Sequence, residues 1–197
     1  MLKNFIYLLT LTLLFSCGVP YQISSVKLKD GSTKTLLVKQ DEGFLLTKDN
    51  FSDSPEKLHY SEIDYVKKKN NLNEETKFKF FKVAGKNQYL LLEEEIVGPV
   101  SLYIQTTEGT NTEYATGMTY NYTSIGYYVK KEHNNEVIFL TSDSALNFKF
   151  TEIGQTFFRD CPELVQKIED KDFRKKDVYE VVKFYNKNCA VGVSLAN

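Results

Sequence analysis

The side chains able to do chemistry in this 197-residue sequence are few and scattered. A catalytic or metal-bound imidazole needs a second group to orient it or share the ion. His59 and His133 have no His, Cys or acidic partner at ligand spacing, and His133 stands in Lys-Glu-His-Asn-Asn, a turn. Asp49-Asn50-Phe51-Ser52-Asp53 offers the oxygens of a calcium loop. Ser54 occupies the place of its glycine and Tyr60 the place of its bidentate glutamate, so the loop is rejected. Glu93-Glu94-Glu95 would alternate faces in a strand and cannot converge on one ion; a solvated edge is the reading. Lys67-Lys68-Lys69 reads as part of a solvated polar loop, with contact to anionic headgroups as the functional alternative. No serine sits in a Gly-x-Ser-x-Gly elbow, and no phosphate loop or dinucleotide fingerprint is present. No catalytic residue, cofactor or metal is therefore expected, and an enzyme built on scattered carboxylates is the least favoured reading.

The cysteines say more. Cys17 follows Leu14-Phe15-Ser16 at the end of a stretch that opens with Lys3 and continues through the apolar run Phe5–Phe15. Such a run is too short to span a bilayer and fits the core of a secretory signal. Leu14-Phe15-Ser16-Cys17 resembles a bacterial lipobox, departing from it at Phe15, where a smaller residue is usual. The resemblance implies that the Cys17 thiol takes a diacylglyceryl group and that the chain is cut before it. A secretory signal without lipidation and a buried first helix are the alternatives. Gly18, with no acidic stretch after it, resembles the outer-membrane sorting pattern, and a periplasm-facing position is expected. Each buried methylene contributes roughly 0.8 kcal/mol, so two or three acyl chains hold a protein on a membrane almost permanently.

With Cys17 set aside, Cys161 and Cys189 make an even count. An exported chain keeps disulfides. A Cys161–Cys189 bridge would close a loop of about 29 residues and stabilise the fold by roughly 3.5 kcal/mol. Two separate buried thiols are the alternative.

The elements that would position these residues divide the chain at 17–143 and 144–197, after a signal at 1–16. The first part reads as short strands. Asp30-Gly31 lies between alternating segments and predicts a type I′ hairpin; Asp41-Glu42-Gly43 marks a second break. A weak strand pattern covers Tyr60 to Val66, and residues 67–76 read as a loop. Strand-like runs follow at 78–83, 88–97 and 100–106, with Gly98-Pro99 between the last two. Tyr114–Tyr122 and Tyr127–Lys131 read as two paired strands, and Val137–Thr141 as another. The fold class expected is α+β, mainly β: an antiparallel meander, as a small barrel or a sandwich, with a C-terminal helical pair. Cys161, Leu164, Val165 and Ile168, then Val178, Val181, Val182 and Tyr185, mark the two helices by their i, i+3, i+4, i+7 spacing. Phe148, Phe150 and Ile153 lead into the first. Asp160-Cys161-Pro162-Glu163 reads as a helix start, with Pro162 in the first turn and Glu163 placed to cap, and Asp177 with Glu180 as a capping box. The pair is expected to cover an open face of the sheet.

Phe157-Phe158-Arg159-Asp160-Cys161-Pro162-Glu163-Leu164, Lys167-Ile168 and Tyr185-Asn186 resemble the tail of small exported Bacteroidetes proteins of unknown function. Gly98-Pro99-Val100-Ser101-Leu102-Tyr103 is similar to their mid-chain strand. The likeness covers about a third of the chain and implies a β-rich protein with a cysteine-containing helical tail. No activity comes with it. Asp143-Ser144-Ala145 resembles the O-glycosylation sequon of some members of that phylum.

Composition limits the partners. Lys+Arg number 25 and Asp+Glu 26, so no overall positive field exists to hold nucleic acid. Aromatic residues are 13 Tyr and 14 Phe with no Trp. Tyr114, Tyr120, Tyr122, Tyr127 and Tyr128 stand close together; packing on a sheet is the plain reading and a binding face the functional one. The expected protein is a non-catalytic envelope lipoprotein. It would touch the membrane through its lipid and bind an envelope protein or component through the β part. A carrier of an apolar ligand in a barrel cavity is the alternative.

Overall fold

The structure, a computed structural model, describes residues 21–41, 43–69, 73–113, 116–144 and 149–190. Cys17, Tyr114, Ala145 and Phe148 lie outside them.

Ten strands form one sheet: β1 (Gln22–Leu28), β2 (Thr33–Asp41), β3 (Phe44–Lys48), β4 (Glu56–His59), β5 (Ile63–Lys69), β6 (Glu75–Val83), β7 (Tyr89–Ile96), β8 (Val100–Thr112), β9 (Thr119–Lys131) and β10 (Glu136–Ser142). Their order is β10-β9-β8-β7-β6-β5-β1-β2-β3-β4. Neighbours along that order are antiparallel. A short parallel pairing, Glu136 with Lys82 and Val137 with Val83, brings β10 back to β6 and closes β6–β10 into a ring. Three helices follow: α1 (Phe150–Phe157), α2 (Pro162–Glu169) and α3 (Val178–Asn188). The fold is therefore mixed α+β, mainly antiparallel sheet, with a C-terminal cluster of three packed helices.

Period-2 alternation sends the two faces of one strand into different cores. Phe81 and Val83 of β6, with Leu90 and Leu92 of β7, point into the ring beside Tyr103, Tyr128 and Val137. Phe78, Phe80 and Leu91 point the other way, onto Val26, Val38, Leu45 and Val66 of the curled half β1–β5. Leu102 and Val129 face outward from the ring and are covered by Phe158, Leu164, Val181 and Val182 of the helical cluster.

Several expectations change. The first hairpin is not type I′, because only Gly31 of the central pair has positive φ (91°). Gly31 N–H bonds Leu28 O at 3.1 Å and Leu28 N–H bonds Ser32 O at 2.9 Å, making a three-residue loop. Asp30 accepts the Ser32 N–H at 2.7 Å, which holds Asp30 on the right-handed side. The lysine run is not in a loop. It ends β5, where Lys67 pairs with Thr76's neighbour Lys77 across the ladder and Lys68 with Thr76. Tyr120 to Lys131 is one strand paired with β8, not two strands paired with each other. The helical pair is a trio, because Phe150, Gly154 and Phe157 form the buried face of a helix of their own.

Candidate functional site

The longest strands build the most projecting feature. β7 pairs with β8 only as far as Glu93–Ile104, and β10 pairs with β9 only as far as Ser142–Gly126. Beyond those rungs Asp143 still bonds Ser124 and Ile125, and among the described residues β8 and β9 then pair with each other alone, from Glu108–Thr123 out to Thr112–Thr119. The result is a two-stranded ribbon standing clear of the ring. Cross-strand side chains hold it: Thr110 donates to Asn121 Oδ1 at 3.0 Å, and Asn111 Nδ2 donates to the Tyr120 hydroxyl at 3.2 Å. Gly109 lies opposite Tyr122, whose ring crosses the strand there. A Cβ at Gly109 would stand 2.5 Å from Tyr122 Cζ, so the ring needs glycine beneath it.

This arrangement distributes the tyrosines. Tyr120 and Tyr122 share one ribbon face and are 53% and 45% exposed, with Met118 beside the tip 68% exposed. Tyr128 has the same parity but lies inside the ring, its hydroxyl donating to Gln105 Oε1 at 3.1 Å. Burial raises its pKa. Tyr127 points the other way and meets Tyr179 of α3 edge-on, with ring centroids 6.2 Å apart. The structure thus brings Tyr120 and Tyr122 together and separates Tyr127 and Tyr128 from them.

The cysteines meet. Cys161 and Cys189 form a disulfide, with Cα atoms 5.6 Å apart, joining the start of α2 to the end of α3. Beside it, Asp160 Oδ2 accepts the Tyr185 hydroxyl at 2.6 Å and the Lys131 ammonium at 2.7 Å. Partial burial opposes ionisation of Asp160, but these two hydrogen bonds outweigh it and hold the carboxyl below its usual value. Burial and the Asp160 contact push the Tyr185 hydroxyl well above the usual tyrosine range. Asp160 therefore serves the sheet–helix junction.

Glu94 corrects the reading of a solvated glutamate edge. Its side chain is 8% exposed, between Lys77 and Lys79, with an ammonium 2.8 Å from each carboxylate oxygen. Burial pushes its pKa up, and the two lysines more than offset that. The cause is parity: Glu94 follows Leu90 and Leu92 along the inward face of β7, while Lys77 and Lys79 precede Phe81 and Val83 on β6. The alternation Lys-Phe-Lys-Phe at 77–80 is the sequence signal for these inward lysines. Lys68 is likewise engaged, its ammonium 4.8 Å from the Phe78 ring.

His59 takes a structural place. It caps the 3-10 turn Tyr60–Glu62, its ring nitrogen accepting from Ser61 N–H at 3.3 Å while Glu62 accepts from His59 N–H at 3.2 Å. His133 is exposed in the β9–β10 turn. The Asp49–Asp53 stretch is closed by Asn50 N–H donating to Asp53 Oδ2 at 2.8 Å.

Among the described residues, then, the geometry offers a projecting tyrosine-bearing ribbon and a disulfide-locked helical tail. No protein-family model matches the chain, and neither a curated protein nor a solved structure does.

Proposed function

We propose that the protein is a non-catalytic lipoprotein of the bacterial envelope, anchored through Cys17, that binds an envelope partner through the β8–β9 ribbon. The anchor rests on the lipobox-like Leu14-Phe15-Ser16-Cys17 behind Lys3 and its apolar run. The observation that carries the binding role is the ribbon itself. It leaves the sheet, it is nearly free of charge, and it exposes Tyr120, Tyr122 and Met118 on a stem that no other element among the described residues covers. Tyrosine and methionine are favoured at interface cores, tyrosine because it brings contact area at low entropic cost and methionine because its flexible thioether adapts to the partner. A lipid tether suits such a role, since it confines the ribbon to one membrane surface. The resemblance to exported Bacteroidetes proteins supports the same compartment.

The test is native mass spectrometry of the protein taken from its own membranes without reductant, for the wild type and for a variant in which Glu108–Thr123 is replaced by Asn-Gly. The expected result is a diacylglyceryl mass on Cys17 and a companion species that the shortened variant loses. An unmodified Cys17 would overturn the anchor. A companion retained by the shortened variant would overturn the ribbon's role.

A further inference from the structure

We propose that a cleft between the β2–β3 turn and the ring is a binding site for a neutral glycan. The cleft has a volume of about 840 Å³, within the range of small-ligand sites. Gln40, Asp41, Asn87, Gln88, Tyr89 and Gln105 line it. Its chemistry differs from that of three other clefts on the molecule. One of those carries Lys34, Lys48 and Lys57, a second Lys79 and Lys130, and the third Lys82. Among the described residues no lysine or arginine lines the glutamine-rich cleft, whereas three of the six glutamines in the sequence do.

Side-chain amides each carry donors and an acceptor, which is what a sugar hydroxyl, itself donor and acceptor, requires. An ion would be better served by the lysine-lined clefts. Among the described residues, no hydrogen bond takes up the side-chain amides of Gln40, Asn87 or Gln88. Gln105 is positioned by the Tyr128 hydroxyl on its Oε1, which leaves its amide protons for a ligand.

The aromatic wall is built in advance. Tyr60 and Tyr89 stack with centroids 3.6 Å apart and planes 22° from parallel. Tyr60 N–H donates to Gly43 O at 3.2 Å, tying the β2–β3 turn to the same stack. Asn87 and Gln88 are fixed by the β6–β7 turn, where Val83 N–H bonds Gln88 O at 3.0 Å. A supported aromatic ring in a cleft lined by four side-chain amides suits a pyranose, which has an apolar C–H face and a polar edge. The ring and the backbone beneath the amides are in place before binding, so the ordering cost falls on the amide side chains. The proposal is independent of the lipid anchor and of the ribbon.

The experiment uses the full chain in a non-glycosidic detergent. Chitotetraose and maltotetraose, both neutral, are titrated calorimetrically, with tetragalacturonic acid as the charged counterpart. Saturable binding of a neutral tetrasaccharide is expected, about tenfold or more tighter than the charged one, because the described lining offers amides and no cation to a carboxylate. Asn87→Ala/Gln88→Ala and, separately, Gln105→Ala are expected to weaken it by about tenfold or more, whereas Tyr89→Phe, which keeps the ring, retains it. The first pair is exposed in a turn, so folding is not at stake. Failure of both neutral probes to saturate, equal binding of the charged one, or binding unchanged in the alanine variants would each overturn the proposal.

Discussion

At the scale of single residues, the tail is docked by one amide. Asn186 Oδ1 accepts the Val100 N–H and Asn186 Nδ2 donates to the Val100 carbonyl, both at 2.8 Å. The pairing of β7 with β8 stops at Ile96–Leu102, so the Asn186 side chain supplies Val100 with the rung that β7 no longer provides. Gly98 makes room for it: a Cβ there would stand 2.7 Å from Asn186 Nδ2. Removing the amide leaves a buried N–H and carbonyl unpaired, and each such group costs about 1–3 kcal/mol. Asn186→Ala is therefore expected to lower the unfolding free energy by about 2 kcal/mol in urea titrations. Gly98→Ala is expected to act through the same contact, so the double variant loses less than the sum. An additive pair would sink the idea. Gly98-Pro99 reads in the sequence as punctuation and Asn186 as a helix-surface residue. Nothing in local spacing joins positions separated by 86 residues.

At the scale of elements, the helical cluster is held to the sheet by the Lys131–Asp160 ion pair and locked on itself by the disulfide. The existence of α2 and α3 was legible because Leu164, Ile168, Val181, Val182 and Tyr185 repeat at helical period. The start of α2 at Pro162 was legible too, with proline in its first turn; the partners of the flanking carboxylates were not. Asp177 makes no cap; its Oδ2 accepts the Arg174 N–H at 2.9 Å instead. Asp160 looked like part of a helix start and instead reaches Lys131 on β9. A carboxylate's partner is chosen by tertiary proximity, which sequence spacing does not encode. The Asp160 contact has a pH signature. Its carboxyl ionises at lower pH in the folded chain than in the unfolded one, whose value is about 3.9. The unfolded state then binds more protons across that interval, so the stabilisation is present above the unfolded value and is lost as pH falls through the folded one. Glu94, held low by Lys77 and Lys79, acts with the same sign. Asp160→Asn is expected to flatten part of the acid limb of stability between about pH 5 and 2, with a further share removed by Glu94→Gln and a remainder left to Asp30, whose carboxyl the Ser32 hydrogen bonds hold low. Urea midpoints across that range read it directly. An Asp160→Asn limb as steep as wild type would place the tail's docking elsewhere.

At the scale of the whole molecule, three cores share strands, and that sharing hid the architecture. Phe78 and Phe81 look alike in sequence but feed different cores, and the closure of β10 on β6 rests on two rungs. A meander was legible from turn spacing; which face of each strand met which core depends on curl and closure, which are long-range. The ribbon belongs to none of the three cores. Residues from Glu108 to Thr112 and Thr119 to Thr123 contribute nothing to the buried clusters, and the rungs just below them are tied by Asp143, which accepts from the Ser124 hydroxyl and the Ile125 N–H, both at 2.9 Å. Shortening the ribbon above that junction, with Asn-Gly replacing Glu108–Thr123, keeps Thr107 opposite Ser124 and supplies a two-residue turn suited to the strand twist. Stability is expected to change by no more than about 0.5 kcal/mol in urea unfolding, since no buried group loses its partner. In the intact chain the ribbon amides are expected to exchange with solvent well before those of Leu102 and Val129, because they can open without breaching a core. A loss of several kcal/mol on shortening, or exchange from the ribbon as slow as from the ring, would mean that the ribbon stabilises the fold. It would then be part of the scaffold rather than a surface the scaffold presents.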